Sequence, residues 1–380
     1  MRRLIVLLPW LVAGCPSAPS KPVVPPSDPA GSSEDEATRL AHLIGELQDD
    51  ILTSYDRDEP PERDSGMINR NVGTARIGAG PDDVYIAGDL ARAPSRWPLD
   101  LDLDRSPRAE ARSKRAEVRS KRLEIQLAAD QTAAWMSDEL SWRIPMCHRI
   151  ATIPLRITAL YAHDGDRWVP VFEHLSFGWT PTPMDTPLPK AIKTAVVSGD
   201  LKDELSGVLW RGVLHPPLDA LVAAQDPSAL VLGPDAGDEW HAAHVLEARL
   251  YSGKLYDGKL EDRRVGTVGR SPASATVAYW VGNYIASIPG RPGVPAGKVR
   301  MRVTHVFEKR RLVTRDSKGS DARSCAEDPA TKAPPAGCRW MLVQTHISQP
   351  ITDEELARRV FGSALISPKP LALDCSDGTR

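Results

Sequence analysis

The chain has 380 residues, enough for two domains with cores of their own, and its formal charge of −2 gives no global field that would point to nucleic acid. Aromatic residues make up only 6%, yet ten are Trp against four Phe, and the 34 prolines fit many loops and an extended tether.

Arg2 and Arg3 precede a short apolar run, Leu4 to Val12, too short to span a bilayer. The run ends in Leu11-Val12-Ala13-Gly14-Cys15, which looks like a bacterial lipobox, where the cysteine becomes the lipidated first residue. Residues 1–15 are therefore expected to be a lipoprotein signal peptide ending at Cys15, and are excluded from fold reasoning. An ordinary cleaved signal peptide is the alternative. Lipidation would anchor the protein to a membrane without spanning it, in the cell envelope, facing the periplasm or the exterior. Residues 16–37 are rich in Pro, Ser, Asp and Glu and read as a disordered tether, since they cannot bury enough apolar area to fold.

Residues 38–180 read as a first domain. Leu40, Leu43, Ile44, Leu47 and Ile51 recur at helical spacing, and Pro60-Pro61 ends that helix. Val84 to Ala87 is the best early strand. Two near-identical charged heptads follow, Arg108 to Lys114 and Arg115 to Lys121. Each carries its own Glu, which favours a solvated helix or hairpin over a basic strip for lipid headgroups. Strands are expected at Leu123–Leu127, Ala133–Trp142 and Thr152–Tyr161. Asp164-Gly165 then turns the chain into Arg167-Trp168, so an antiparallel meander follows the helices.

A linker at 181–189 leads to a second domain at 190–362, with helical patterns from Thr186 to Ala224 and at His241–Tyr251. Strands are expected at Ala229–Leu232, Arg264–Gly269, Ala275–Ile285, Val299–Lys309 and Trp340–Gln349. Thr352-Asp353-Glu354-Glu355 signals a last helix running to Gly362, and 363–380 is a tail.

The second domain repeats the first. Arg167-Trp168-Val169-Pro170-Val171-Phe172-Glu173-His174-Leu175-Ser176 returns 172 positions later, from Arg339 to Ser348, as R-W-x-x-V-x-x-H-x-S. Arg156-Ile157-Thr158 returns as Arg302-Val303-Thr304 at an offset of 146, and Thr132 to Met136 returns from Thr276 to Trp280 at 144. Gly80-Pro81-Asp82 has its echo in Gly233-Pro234-Asp235. The second copy carries 26 extra residues before its R-W strand. Cys325 and Cys338 lie within that insertion, and in an oxidising compartment they are expected to pair, closing a loop worth about 3 kcal/mol in the chain-entropy picture. Cys147 and Cys375 would be left to pair.

Helices followed by a curved antiparallel sheet that ends in Arg-Trp and His-x-Ser resemble the SnoaL-like branch of the NTF2-like superfamily. The resemblance rests on Asp166-Arg167-Trp168 with His174 and Ser176, on Arg339-Trp340 with His346 and Ser348, and on Gly233 to Trp240. It implies an α+β fold with two NTF2-like domains, each a cone of helices and curved sheet. It also implies an aromatic pocket lined by Trp168, Phe172 and His174 in one copy and Trp340, Gln344 and His346 in the other. Strand alternation puts Trp168, Phe172, His174 and Ser176 on one face, and Val169, Val171 and Leu175 on the other. NTF2-like domains commonly pair through their sheets. Val169, Val171 and Leu175 are therefore expected to meet Met341, Val343 and Ile347 in an intrachain pseudo-dimer.

Catalytic chemistry is weakly signalled. His174 would need an acid, and Asp138 or Glu139 could supply one; the second copy has Gly282 and Asn283 there. No nucleophile motif, phosphate loop or metal spacing stands out, and no cofactor or metal is expected. Arg156 and Arg302 read as strand-surface residues. The expected function is a lipid-anchored, non-catalytic module that binds a small apolar ligand or a protein partner, with no nucleic acid. A SnoaL-like hydrolase or isomerase using the first pocket is one alternative, and a structural protein with filled pockets is another.

Overall fold

The computed structural model describes Thr38, His42 and residues 75–86, 117–146, 149–164, 167–179, 181–183, 225–234, 239–241, 260–268, 275–288, 290, 292, 295–311, 325, 337–368 and 371–374. Runs of β-branched and aromatic residues, broken by Gly, Pro and Asp, give the strands. The first half holds β1 (Ala75–Ile77), β2 (Val84–Ile86), β3 (Glu117–Leu127), β4 (Ala133–Met146), β5 (Arg149–Asp164) and β6 (Arg167–Phe177). The second holds β7 (Gln225–Leu232), β8 (Glu239–His241), β9 (Leu260–Val268), β10 (Val277–Ile288), β11 (Gly297–Arg311) and β12 (Cys338–Ser348). The chain closes with α1 (Asp353–Phe361) and a ribbon of β13 (Leu365–Pro368) and β14 (Leu371–Leu373).

The first sheet runs β2-β1-β6-β5-β4-β3, and the second repeats that order as β8-β7-β12-β11-β10-β9. The expected meanders are β3 to β6 and β9 to β12. The expectation of wholly antiparallel sheets needs correction: β1 lies parallel to β6, and β7 parallel to β12. A parallel neighbour needs a long connection, and the rest of each half supplies it. Of the helix and the hairpin expected for the charged heptads, the second heptad takes the hairpin: Glu117 to Lys121 start β3, which pairs antiparallel with β4. Thr38 and His42 are helical; the rest of the expected helix there, and those expected between 186 and 224, lie outside the described residues. Of the helix expected at His241–Tyr251, only His241 is described, and it ends β8.

The last helix forms where its caps predict. Thr352 Oγ1 accepts from the Glu355 amide at 3.3 Å, three acids fill the first turn, and Gly362 takes φ 54° just past the end. Its buried face, Leu356, Ala357 and Phe361, packs into the core of the first half with Met136, Leu140, Ile157, Leu175 and Phe177. The Ile351 amide donates to Ala79 O at 3.0 Å, so the chain's end straps back to the β1–β2 turn. Cys325 and Cys338 are bonded as expected. Cys147 and Cys375 lie outside the described residues.

Each R-W strand carries a bulge. Leu160 faces Phe172 and Tyr161 faces Pro170, so Val171 has no partner on β5. Val306 faces Gln344 and Phe307 faces Leu342, which leaves Val343 in the same position on β12. One extra residue flips the facing of everything before it. Trp168 therefore packs with the α1-side core, while Phe172 and Val171 turn the other way. On that other side one buried cluster draws on both sheets: Trp135, Leu160, Val171 and Phe172 from the first, and Tyr279, Val281, Val306 and Val343 from the second. We call this the inner face, and the side beneath α1 the outer face.

Candidate functional site

The polar residues repeated in both halves lie on the inner face. Thr158 sits opposite His174 across β5 and β6, and Arg156 sits opposite Ser176. In the second sheet Thr304 faces His346, and Arg302 faces Ser348. The R-x-T of one strand and the H-x-S of the next thus form a square of four polar side chains in each half.

The two squares bond to each other. His174 Nδ1 lies 2.9 Å from Thr304 Oγ1, and its Nε2 lies 3.0 Å from Ser348 Oγ. His346 Nδ1 lies 3.1 Å from Thr158 Oγ1, and its Nε2 lies 2.7 Å from Ser176 Oγ. The rings stack with centroids 4.1 Å apart. Every partner of each histidine belongs to the other half. Gln344 Nε2 donates to Thr158 Oγ1 at 3.3 Å. With that hydroxyl donating its hydrogen bond to His346 Nδ1, the ring proton is assigned to Nε2, which donates to Ser176 Oγ. Phe172 stacks on Tyr279 at 4.2 Å, and Thr132 and Thr276, also repeat partners, meet at 3.3 Å between their hydroxyls.

Burial sets the charge of this cluster. Desolvation, then the neighbouring His346 and Arg302, hold His174 well below its usual value. Desolvation, helped by Arg156, lowers His346 to about 3. Both rings are therefore neutral at pH 7.

Arg156 and Arg302 are not on the surface, as their strand positions suggested, but buried at 1% and 0% exposure. Arg156 binds Glu139 through Nε and Nη2, at 3.2 and 2.7 Å, and donates from Nη1 to Gly233 O of the second half. Arg302 donates to Asn283 Oδ1 at 3.3 Å, and to Gly78 O, Gly80 O and Pro81 O of the first half at 3.0 to 3.2 Å. Each guanidinium thus reaches the Gly-Pro-Asp loop of the opposite copy. That loop is tight: a Cβ on Gly80 would lie 2.7 Å from Asp83 Oδ2, which accepts the Gly80 amide at 2.8 Å.

The residues expected to line one pocket are therefore split between faces. His174, His346, Phe172 and Gln344 lie on the inner face, joined across the sheets, while Trp168 and Trp340 lie on the outer faces. Of the acids weighed as partners for His174, Glu139 shares its face but binds Arg156, and Asp138 faces outward with Ile157 and Leu175. The sequence reading missed Arg156, Thr158, Arg302 and Thr304 as site residues. Their signal was present in the R-x-T echo, kept at the same place in both copies.

The outer faces differ between halves. In the first sheet Asp138, Tyr161 and Glu173 are buried around the small Ala159; Asp138 Oδ1 accepts from the Arg122 amide at 3.2 Å. By the repeat offsets their counterparts are Gly282, Phe307 and Thr345, with His305 in place of Ala159 and Trp280 in place of Met136. A Cβ on Gly282 would lie 2.3 Å from the Trp280 ring, so that indole covers the position held by a carboxylate in the first half. His305, lowered to about 3 by burial, bonds Thr345 Oγ1 at 2.9 Å. The first half keeps two acids and a phenol where the second is filled by rings.

No family model matches the chain, and no curated protein matches it. Among solved structures, an NTF2-like protein of unknown function in nutrient uptake from Rhodospirillum rubrum is similar at 18% identity over 38% of this chain and 95% of its own, with a TM-score of 0.25. The CaMKII hub of S. rosetta is similar at 17% identity over 40% of this chain and 98% of its own, at 0.26. An NTF2-like protein involved in plasmid conjugation aligns with 73% of this chain and 91% of its own, at 9% identity and 0.18.

Proposed function

We propose that the protein is a lipid-anchored, non-catalytic binding module of the cell envelope, built as an intrachain pseudo-dimer of two NTF2-like domains. The second domain is the filled, supporting copy. The first holds a small, largely apolar molecule against the outer face of its sheet, with Asp138, Tyr161 and Glu173 fixing its polar end. One observation carries the non-catalytic reading: both ring nitrogens of His174 and of His346 are taken up by hydroxyls of the other half. The motif that looked most like chemistry thus serves assembly. The SnoaL-like enzyme reading keeps one support, since the only buried acid–phenol set among the described outer-face residues is in the first half.

The experiment is native mass spectrometry of the full chain extracted in detergent from its own membranes. Wild type should carry a small-molecule adduct, and Ala159→Trp, which fills the first face as His305 fills the second, should lose it. An adduct that survives Ala159→Trp, or a wild type that carries none, contradicts the binding reading. The anchor is tested separately. Cys15→Ser should leave the membrane fraction for the soluble one, and continued membrane association would refute lipidation at that residue.

A further inference from the structure

We propose that the stacked His174–His346 pair is an acid-operated latch between the two halves of the chain. The geometry points to it in three ways. The rings lie against each other at 4.1 Å, so a proton on either places a cation against its partner. Every hydrogen bond they make crosses from one half to the other, so what protonation disturbs is the join and not either sheet's own ladder. And both are fully buried, 0% exposed, out of reach of the bulk solvent that would stabilise the charge.

The surroundings oppose protonation. Facing the pair are Arg156 on β5 and Arg302 on β11, both cations, with Glu139 on β4 already bound to Arg156; the buried Glu308 lies further along β11 on the same face, where it accepts from the Ala129 amide and pairs with Arg310. The matching position on β10 is the uncharged Asn283. From β1 and β7 the flanking residues are Ile77 and Leu232, which carry no charge. A neutral imidazole uses one donor and one acceptor on its two hydroxyl partners, whereas an imidazolium has two donors and forces the hydroxyl that had donated to the bare nitrogen to turn and accept. Lowered proton affinity of both rings agrees with this environment. Moving the halves apart lets water reach the rings while each sheet keeps its backbone bonds. Acid therefore favours an opened chain with its inner faces bare.

The test uses the full chain taken reversibly from pH 7.5 to 4, with small-angle X-ray scattering for overall size and far-ultraviolet circular dichroism for the strands. The expected result is a rise in the scattering radius while the strand signal persists. The His174→Gln/His346→Gln double variant should keep its neutral-pH radius at a pH where wild type has expanded, and His305→Gln, on the outer face, should expand at the wild-type pH. A single step in which radius and strand signal change together overturns the proposal, as does a double variant that expands at the wild-type pH. Should the double variant not fold, Thr132→Cys/Thr276→Cys provides the second arm, because those hydroxyls lie 3.3 Å apart across the join. The oxidised tether should suppress the expansion, and a tethered chain that swells like wild type overturns the latch.

Discussion

Ser176 and Ser348 are small residues that join the two halves, since each hydroxyl meets a ring nitrogen of the other half's histidine. Removing one leaves a buried imidazole nitrogen without its partner, a loss of about 1–3 kcal/mol. Ser348→Ala should lower unfolding stability by that amount in urea titrations, and in a double-mutant cycle its effect should largely vanish once His174 is replaced. The histidines also fix how stability depends on pH. His346 and His305 titrate at about 3 in the native chain, and His174 is lowered too, whereas unfolded histidine titrates near 6.5. Between those values the unfolded chain binds more protons than the native one, so stability falls as pH drops. Above about 6.5 these groups contribute nothing to the slope, and below it each adds up to about 1.4 kcal/mol per pH unit. Urea midpoints at pH 7.5, 6 and 5 should show a flat region and then a steep decline; a midpoint unchanged to pH 5 would contradict the buried neutral rings.

The elements hold because small details let large side chains in. Gly282 leaves space for the Trp280 ring, and a methyl there would sit 2.3 Å from it. Gly282→Ala should cost about 1–3 kcal/mol through overpacking, read by thermal or urea unfolding. The caps of α1, the strands of both meanders and the Cys325–Cys338 pair were all legible in the sequence, because each depends on local chemistry. The inner and outer faces of the R-W strands were not. Alternation put Trp168 with His174, and a single unpaired residue at Val171, repeated at Val343, separates them. In the first copy Pro170, which cannot donate to a sheet ladder, marks the irregularity without fixing which residue is left unpaired, and Met341-Leu342-Val343 in the second carries no mark at all. Burial of Arg156 and Arg302 was hidden for another reason. Their partners are carbonyls of Gly78, Gly80, Pro81 and Gly233, groups that every sequence has and that only the fold brings near.

At the scale of the molecule, the repeat works as two sheets joined through their inner faces, with the chain's end laid back over the first. Leu356, Ala357 and Phe361 of α1 are buried in the first half's core although they follow the second half's last strand. Leu356→Ala should cost about 2–5 kcal/mol and loosen β4 and β5 in hydrogen exchange, not β10 to β12 alone. The central claim is that the inner faces form one core. Val171 is the residue that tests it: it sits on the first sheet, 5% exposed, in a cluster with Tyr279, Val281, Val306 and Val343 of the second. Hydrogen–deuterium exchange on full-length Val171→Asp is the most direct measurement, since a buried unpaired carboxylate costs several kcal/mol wherever its environment lies. The account predicts faster exchange in β10 and β11 as well as in β5 and β6. Faster exchange confined to β5 and β6, with the second sheet as protected as in wild type, would contradict it.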